Sequence, residues 1–532
     1  MTIFSWEGTL ILNVKNVTKN SEIDTKYSAL ETNVNAIRAI AGAVQGTIGP
    51  KGLDTMLVDQ FGDVVITNDG VTILNLMEVS HPAAKMLINI ARAQQEEIGD
   101  GTTTATLMAG EMVNEGYNQI IQGVPVARVI EGLRKGVKAA ITSIEKKSIA
   151  IKGLDDPLLH NIALIAGREH EDIAQLVVKA AQIIGKDKLV DHSFKLSETI
   201  KAMEGAENEV FLGVLVNKER MNKQMPKELN QNVKVLIIDD ALEPEEIDDE
   251  ALATEAGFTR YLQLREDFKN NLNKIINLGV NLVLVDRGVD DLAEEIFADA
   301  GIMVVQRVSN KELRNVAEHT GARMIKRTGL KKSQEEIARY LGIAARVYEN
   351  EKLEHIRILG GKAKPIATVL VSASTSEVVG ERERIAKDAA SAVQASIKGG
   401  IVPGGGSIEL AIAREVEELK KDLRGMSAFG INCITAALQR PFMQIVANAG
   451  YNPLEKLGDV TQAQVEQNTF SLGIDCDSGD VVDMLKIGVI DPTLVKIYAL
   501  KAAGEVAEAI LRIDTIIRKK ETNNLQEDNM DK

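Results

Sequence analysis

Residues 96–111 read EEIGDGTTTATLMAGE, which places Asp100 between two glycines and sets Thr102, Thr103 and Thr104 behind Gly101 at the head of a run of helix formers. Glycines let the backbone approach a ligand closely. The free N–H groups of a first helical turn, at the positive end of the helix dipole, favour an anion. Threonine hydroxyls add donors for phosphate oxygens. A carboxylate there would repel phosphate by itself, and a Mg²⁺ between the two resolves the conflict, because carboxylates and phosphates together are how that ion is usually held. The same residues also suit a plain Gly-Asp-Gly turn with a threonine N-cap.

Three further glycine loops stand at the edges of predicted elements: Gly46-Thr47-Ile48-Gly49-Pro50-Lys51-Gly52, Thr67-Asn68-Asp69-Gly70 and Val402-Pro403-Gly404-Gly405-Gly406-Ser407. Each alone is compatible with a turn; the set points to a shared phosphate site. None has the Walker A or G-x-G-x-x-G spacing. Two more acids complete the pattern. Asp69 follows a predicted strand beside Gly70, where it suits either a pocket-facing carboxylate or an Asp-Gly hairpin turn. Asp388 lies in SEVVGERERIAKDAASAVQAS, at the margin of the apolar face of Ile385, Ala389, Ala392 and Val393, placed either for a surface ion pair or to be carried by its helix into a site formed elsewhere. Hydrolysis of a γ-phosphate needs an in-line water and neutralised charge; Asp100 for metal, Asp69 and Asp388 for water and the glycine loops for phosphates would supply them.

These loops need rigid elements. From about residue 27 to 139 and from about 404 to 517 the apolar residues recur at three- and four-residue spacing, as in YSALETNVNAIRAIAGAVQ and PTLVKIYALKAAGEVAEAILRI, which predicts long helices. MLVDQFGDVVITNDG predicts a hairpin around Phe-Gly-Asp. The middle differs: VKVLIIDD, NLVLVD and IMVVQRV are short apolar runs, the last two alternating with DDLAEEIFADAG and NKELRNVAEHTG, as in an open α/β sheet. The long connection before NLVLVD carries a stripe of Tyr261, Leu264, Phe268, Leu272 and Ile275, which suits core packing, and ALATEAGF ahead of it reads as a projecting tip.

At 532 residues the chain exceeds one compact core. A formal net charge of -15 and 3% aromatics argue against nucleic acid. Two cysteines, Cys433 and Cys476, fit a reducing compartment, no run is long enough to span a membrane, and the start lacks a basic leader, so a cytoplasmic protein is expected. The polar end KKETNNLQEDNMDK reads as a disordered tail.

The motifs TIGPKGLDTMLVD, GDVVITNDGVTIL, HPAAKML, GDGTTTATLMAGE, VPGGGSIELAIA and GVIDPTLVKIYALKAAGEVAEAILRID resemble those of the chaperonins, in family order along nearly the whole chain. MPKEL, LVLVDRGVDDLA and HTGARMI resemble the group II branch, the thermosome and eukaryotic cytosolic class; mixed features also suit the bacterial group III kind. The resemblance implies a multidomain chaperonin fold: a mostly α-helical equatorial ATPase domain (1–139 and 402–532), a small α/β intermediate domain (140–209 and 363–401), and an α/β apical domain (210–362) with a helical protrusion at about 241–278. It implies an ATP-dependent folding machine with ATP and Mg²⁺ as cofactors, non-native polypeptides as clients, identical or similar subunits in a double ring, and no separate lid protein. Thr47, Ile48, Gly49 and Pro50 would line the nucleotide, Asp100, Gly101, Thr102, Thr103 and Thr104 would bind Mg²⁺ and phosphates, Gly405 would approach by its backbone, and Asp491 would meet the ribose. Asp69 and Asp388 would orient the attacking water. There are departures. IALIAGREHED, with Arg168 and the following histidine its only basic residues, replaces the usual lysine-bearing Ser/Thr-rich segment, Asp491 stands where group II chains more often have Glu, and the tail lacks Gly-Gly-Met repeats. Two other readings keep the loops: a chaperonin-like scaffolding ring without productive ATPase, and a metabolic phosphotransferase.

Overall fold

The computed structural model describes residues 15–18, 21–24, 26–58, 60–62, 64–245, 247, 254–421, 423 and 425–519. The chain forms two compact units, Met1–Glu169 with Asp388–Lys532, and His170–Lys387. Among the described residues, no helix is long and apolar enough to cross a membrane.

The first unit is built from both ends of the chain. Its helices Lys26–Val44, Pro82–Glu97, Thr102–Ile121 and Val126–Lys147 come from the first end, and Ser407–Glu418, Phe429–Asn448, Pro453–Glu466 and Thr493–Leu511 from the second. All but Pro453–Glu466 share one core that includes Val34, Ile37, Leu87, Met108, Met112, Leu133, Ile434, Leu438, Leu500 and Ala503, while Val460 of that helix packs in a second cluster with Leu410, Phe442 and Val446. Val126–Lys147 and Phe429–Asn448 touch backbone to backbone: a β-carbon on Gly132 would lie 2.7 Å from Gly430 Cα and 2.1 Å from Ser427 O. Any side chain at Gly132 would force the two halves apart. Cys433 is buried in this core, which pushes its thiol up to about 12.

The expected hairpin is present, Thr55–Val58 paired antiparallel with Val64–Thr67. Its apolar residues are not covered, with Phe61 82% and Met56 61% exposed.

The second unit is organised on a nine-stranded mixed sheet. Glu228–Ile238, Leu282–Val285 and Met303–Val305 run parallel, in register Val235↔Leu282↔Met303, with the Asp291–Asp299 helix between the last two, as the apolar runs predict. The other half is antiparallel and less obvious in the sequence: Gly342–Asn350, His355–Leu359, Glu209–Val216 and Ala367–Ala373 follow in spatial order, and Ile200–Glu204 closes the edge parallel to Ala367–Ala373. The Glu255–Asn277 helix buries Leu264, Phe268, Leu272 and Ile275, so this stripe is core packing, with Tyr261 at its margin. The tip expected at ALATEAGF lies partly outside the described residues, and the helix begins at Glu255 behind the Thr254 cap.

Candidate nucleotide site

The Gly99-Asp100-Gly101 turn is held by left-handed glycines, φ 81° at Gly99 and 77° at Gly101. Gly101, not a threonine, caps the Thr102–Ile121 helix, and it makes no side-chain cap bond. The threonine hydroxyls are therefore not consumed as caps. Asp100 is half-buried as a residue, yet its carboxyl group is enclosed, with Oδ1 accepting the Gly101 N–H at 2.6 Å. Burial first, then the nearby charges of Asp491 and Asp69, push its pKa up to about 6, opposed by Lys496. Three sequence-distant residues thus act on one carboxyl.

Asp69 is the N-cap of the Gly70–Leu76 helix, with Oδ2 accepting from Thr72 N at 2.9 Å and Thr72 Oγ1 at 2.6 Å. It does not lie in a hairpin turn; that turn is at Phe61-Gly62. Gly70 packs so tightly on the next helix that a β-carbon would sit 2.3 Å from Thr103 Oγ1. This contact draws Asp69 to the threonine row. Asp388 is half-buried in the Ser376–Gly399 helix, and Ser391, one turn on, packs on the turn before Asp100: a β-carbon on Gly99 would lie 2.2 Å from Ser391 Oγ. The same face of that helix therefore passes the metal-candidate turn.

Thr47 closes a 3₁₀ turn, its hydroxyl donating to Val44 O at 2.8 Å, and Ile48, Gly49 and Pro50 follow in a loop tied by Gly52 N to Gly49 O at 3.0 Å. Asn448 Nδ2 pins this loop from the opposite chain end, donating to Gln45 O at 3.0 Å and Ile48 O at 2.9 Å. Gly405 follows the Ile401–Pro403 strand, which pairs antiparallel with Ile490–Pro492 so that Val402 faces Asp491. Gly406 rests on Phe442 and Gly49 on Ile445, neighbours on one helix. All four loops are thus gathered in one unit.

Lys496 and Gln94 carry signals that motif reading passes over. Lys496 is a buried cation inside the apolar stretch TLVKIYAL, its Nζ 2.7 Å from Asp491 Oδ2 and 2.7 Å from Glu409 Oε1. Those two carboxylates drive its pKa upward despite burial. Gln94 is wholly buried on the apolar stripe of Leu87, Ile90 and Ala91, and its Nε2 donates to Asp100 O at 2.7 Å and Val495 O at 3.3 Å. A polar residue on an apolar stripe was the available clue. Arg168, at φ 51°, donates from Nη1 to Asn68 Oδ1, the residue preceding Asp69.

The residues fit a nucleotide with a divalent cation. Lys496 lies between Asp491 and Glu409, and Asp100 sits in the field of Asp491 and Asp69 as well as of Lys496, a gathering of carboxylates whose negative charge a metal ion would offset. Among the described residues no three His, Cys, Asp or Glu side chains group to hold a metal unaided, so substrate oxygens would complete the shell.

A mostly helical unit made from both chain ends, a mixed-sheet unit inserted between them, and glycine loops gathered with buried carboxylates fit the class of multidomain nucleotide-binding machines. Residues 40–521 match the model of the TCP-1/cpn60 chaperonin family, and the chain belongs to that family. It is 35% identical to the thermosome subunit beta of Archaeoglobus fulgidus, covering 92% of each chain, and 34% identical to the thermosome subunit of Pyrococcus abyssi, covering 92% of this chain and 91% of that one. Its fold superposes on the crystal structure of a group III chaperonin in the open state with a TM-score of 0.84 and 46% identity, over 92% of this chain and 99% of that one. The protein is a thermosome-like, ATP-dependent chaperonin with the chaperonin fold, a client-binding member of a ring-forming class. Neither the inactive scaffold nor the phosphotransferase reading is favoured.

Proposed function

We propose that this subunit hydrolyses Mg²⁺-bound ATP in the cleft of Asp69, Asp100, Asp388 and Asp491 and uses the cycle to enclose non-native polypeptides beneath its own apical protrusion. The observation that carries the reading is the electrostatic meeting of Asp100 with Asp69, Asp491 and Lys496, groups from opposite ends of the chain. Asp100 would hold the metal, and Thr102, Thr103 and Thr104 with the N–H groups of their helical turn would take phosphate oxygens. The metal, when bound, would neutralise charge on the transferring phosphoryl group. Thr47, Ile48, Gly49, Pro50 and Gly405 would line the nucleotide by backbone approach and Asp491 would meet the ribose. Asp69, its carboxylate oriented by Thr72, and Asp388 would place the water and take its proton.

The division into equatorial, intermediate and apical domains at 1–139, 140–209, 210–362, 363–401 and 402–532 belongs to the same proposal, with the Glu255–Asn277 helix as the stem of the protrusion. Chain crossings between the two compact units at Glu169–His170 and Lys387–Asp388 put Asp388 beside a crossing, which suits a residue whose placement follows domain closure. The uncovered apolar hairpin of Met56, Phe61 and Ile66 suits a contact with a neighbouring subunit in a double ring of identical or similar chains. The 46% identity to a group III chaperonin supports assignment to that kind. A cytoplasmic setting, and no separate lid protein, complete the reading.

The test is ATP hydrolysis by Asp388→Ala rings, paired with electron microscopy with and without ATP. Rings of normal symmetry that bind ATP, hydrolyse it at least 10²-fold more slowly and remain open are expected. Wild-type hydrolysis rates in those rings would exclude the assigned role.

A further inference from the structure

Lys496 is given no phosphate contact in the reading above, yet it is a deeply enclosed cation, with its side chain 9% exposed. It stands in the first turn of the Thr493–Leu511 helix, and its Nζ lies 2.7 Å from Oδ2 of Asp491 and 2.7 Å from Oε1 of Glu409. Glu409 is 1% exposed in the first turn of the Ser407–Glu418 helix, directly behind the Gly404-Gly405-Gly406 loop. Asp491 is more open, at 26%, and sits opposite Val402 in the two-stranded pairing that leads into the same loop. Gly404 leaves only 3.2 Å between its would-be β-carbon and Asp491 Oδ2. One ammonium therefore ties the ribose-candidate carboxylate to the helix that carries the phosphate-approaching loop.

We infer that Lys496 is a positioning residue for ribose recognition: it holds Asp491 by Oδ2 and so keeps Oδ1 aligned for the 2′ and 3′ hydroxyls of the nucleotide, with Glu409 as its anchor. The inference rests on the proposed role of Asp491. The physical case is that a carboxylate swings about two torsions, and a diol takes a fixed pair of hydrogen bonds from it only when one rotamer is enforced. A buried ammonium with two carboxylate partners enforces it, because leaving either partner unpaired in that enclosure is costly. Asp491 alone, one-quarter exposed, would sample several rotamers.

The experiment measures kcat and KM of intact rings for ATP and for 2′-deoxyATP. Lys496→Met should raise KM for ATP about tenfold, the size of one hydrogen bond to a charged group, with kcat changed far less, and the preference for ATP over 2′-deoxyATP should fall toward one. Lys496→Arg should recover part of the preference, since it restores the charge with a different reach. Asp491→Asn should lose the preference too, and the double variant with Lys496→Met should be no worse than Asp491→Asn alone. Where Lys496→Met fails to assemble, Glu409→Gln, which keeps the shape and weakens the anchor, should give the same KM shift at smaller size. A preference retained in assembled Lys496→Met or Glu409→Gln rings, while Asp491→Asn loses it, overturns the inference and leaves the ribose assignment standing. A preference retained in Asp491→Asn overturns both.

Discussion

Each compact unit buries a cluster of ions, and the two clusters are built to opposite ends. In the sheet unit, Arg220 is 7% exposed against Glu349 at 3%, their guanidinium and carboxylate paired directly, with the Arg220 N–H also on Glu349 Oε1 at 3.0 Å. Glu351 takes Arg220 Nη2 at 3.0 Å and Lys227 at 2.7 Å. Nearby, Arg357 joins Glu209 at 2.8 Å, donates to His355 Nε2 at 3.0 Å and lies over the Phe211 ring. Arginines and carboxylates are matched there. In the helical unit Lys496 pairs with Asp491 and Glu409 and acts on a third carboxyl, Asp100, which holds its proton to about pH 6. Balanced burial stabilises a particular packing, whereas unbalanced burial stores a demand for a cation, and this separates a structural ion cluster from a reactive one.

The contrast can be broken most severely at Asp100. Asp100→Asn should slow ATP hydrolysis by about 10³-fold or more, since it removes both the metal's candidate ligand and a charge from the cleft. Steady-state ATPase across a Mg²⁺ titration reads this, and wild-type turnover would disprove the assignment. In the balanced cluster, Arg220→Met should destabilise the sheet unit by about 3–5 kcal/mol, because Glu349 is left buried without its partner, while Arg220→Met with Glu349→Leu should recover most of that loss. Denaturant unfolding compares the two variants; equal stability of single and double would show that the stranded Glu349 carboxylate carries no penalty.

The pH dependence sharpens the same contrast. The folded-state pKa of Asp100 lies above its ordinary value near 4, so the nucleotide-free protein binds more protons folded than unfolded between about pH 4 and 6. Stability from this group is therefore fully present below that window and is lost as pH rises through it, by about 3 kcal/mol in total. His355 in the sheet unit has the opposite sign. Burial, then Arg357, lowers its pKa to about 4, so its contribution is lost as pH falls from about 6.5 toward 4. A probe of each unit should therefore move in opposite directions over one pH range, and Asp100→Asn should flatten the helical unit's curve alone. A helical-unit curve unchanged by that substitution would contradict the charge surplus. The smallest expected effect is at Gln94: Gln94→Leu should lower kcat/KM about tenfold through the lost hydrogen bonds to Asp100 O and Val495 O, with Gln94→Glu a poor rescue because it replaces the donor. Unaltered kinetics in the leucine variant would mean that the turn holds itself.

Much of this architecture was legible before folding. The amphipathic period announced the helices of both chain ends, and continuous apolar runs announced the parallel strands, because burial on two faces leaves no polar alternation. The antiparallel half of the sheet was harder, since strands such as Glu209–Val216 and Gly342–Asn350 mix exposed and buried positions irregularly and each takes a partner from a distant part of the chain, as Tyr348 does from Glu228. Beside Gly70 the sequence allows Asp69 either a pocket or a hairpin turn, and its local structure is decided by Thr72, whose N–H and hydroxyl make it a helix cap in place of a hairpin turn. Lys496 and Gln94 were passed over because neither sits in a glycine loop.

The amino-acid sequence by itself determined the local devices: left-handed glycines at positions 99 and 101, a threonine row behind them, apolar helix faces and an acidic net charge. These depend on φ/ψ preference and residue spacing, which neighbours along the chain set. Only the tertiary structure decided that Asp69, Asp100 and Asp491 share one electrostatic environment, that Lys496 stands between Asp491 and Glu409, and that Asn448 holds a loop 400 residues earlier at Ile48. Long-range partners arise from which helix faces pack together, and burial then sets the strength of their charges by removing water.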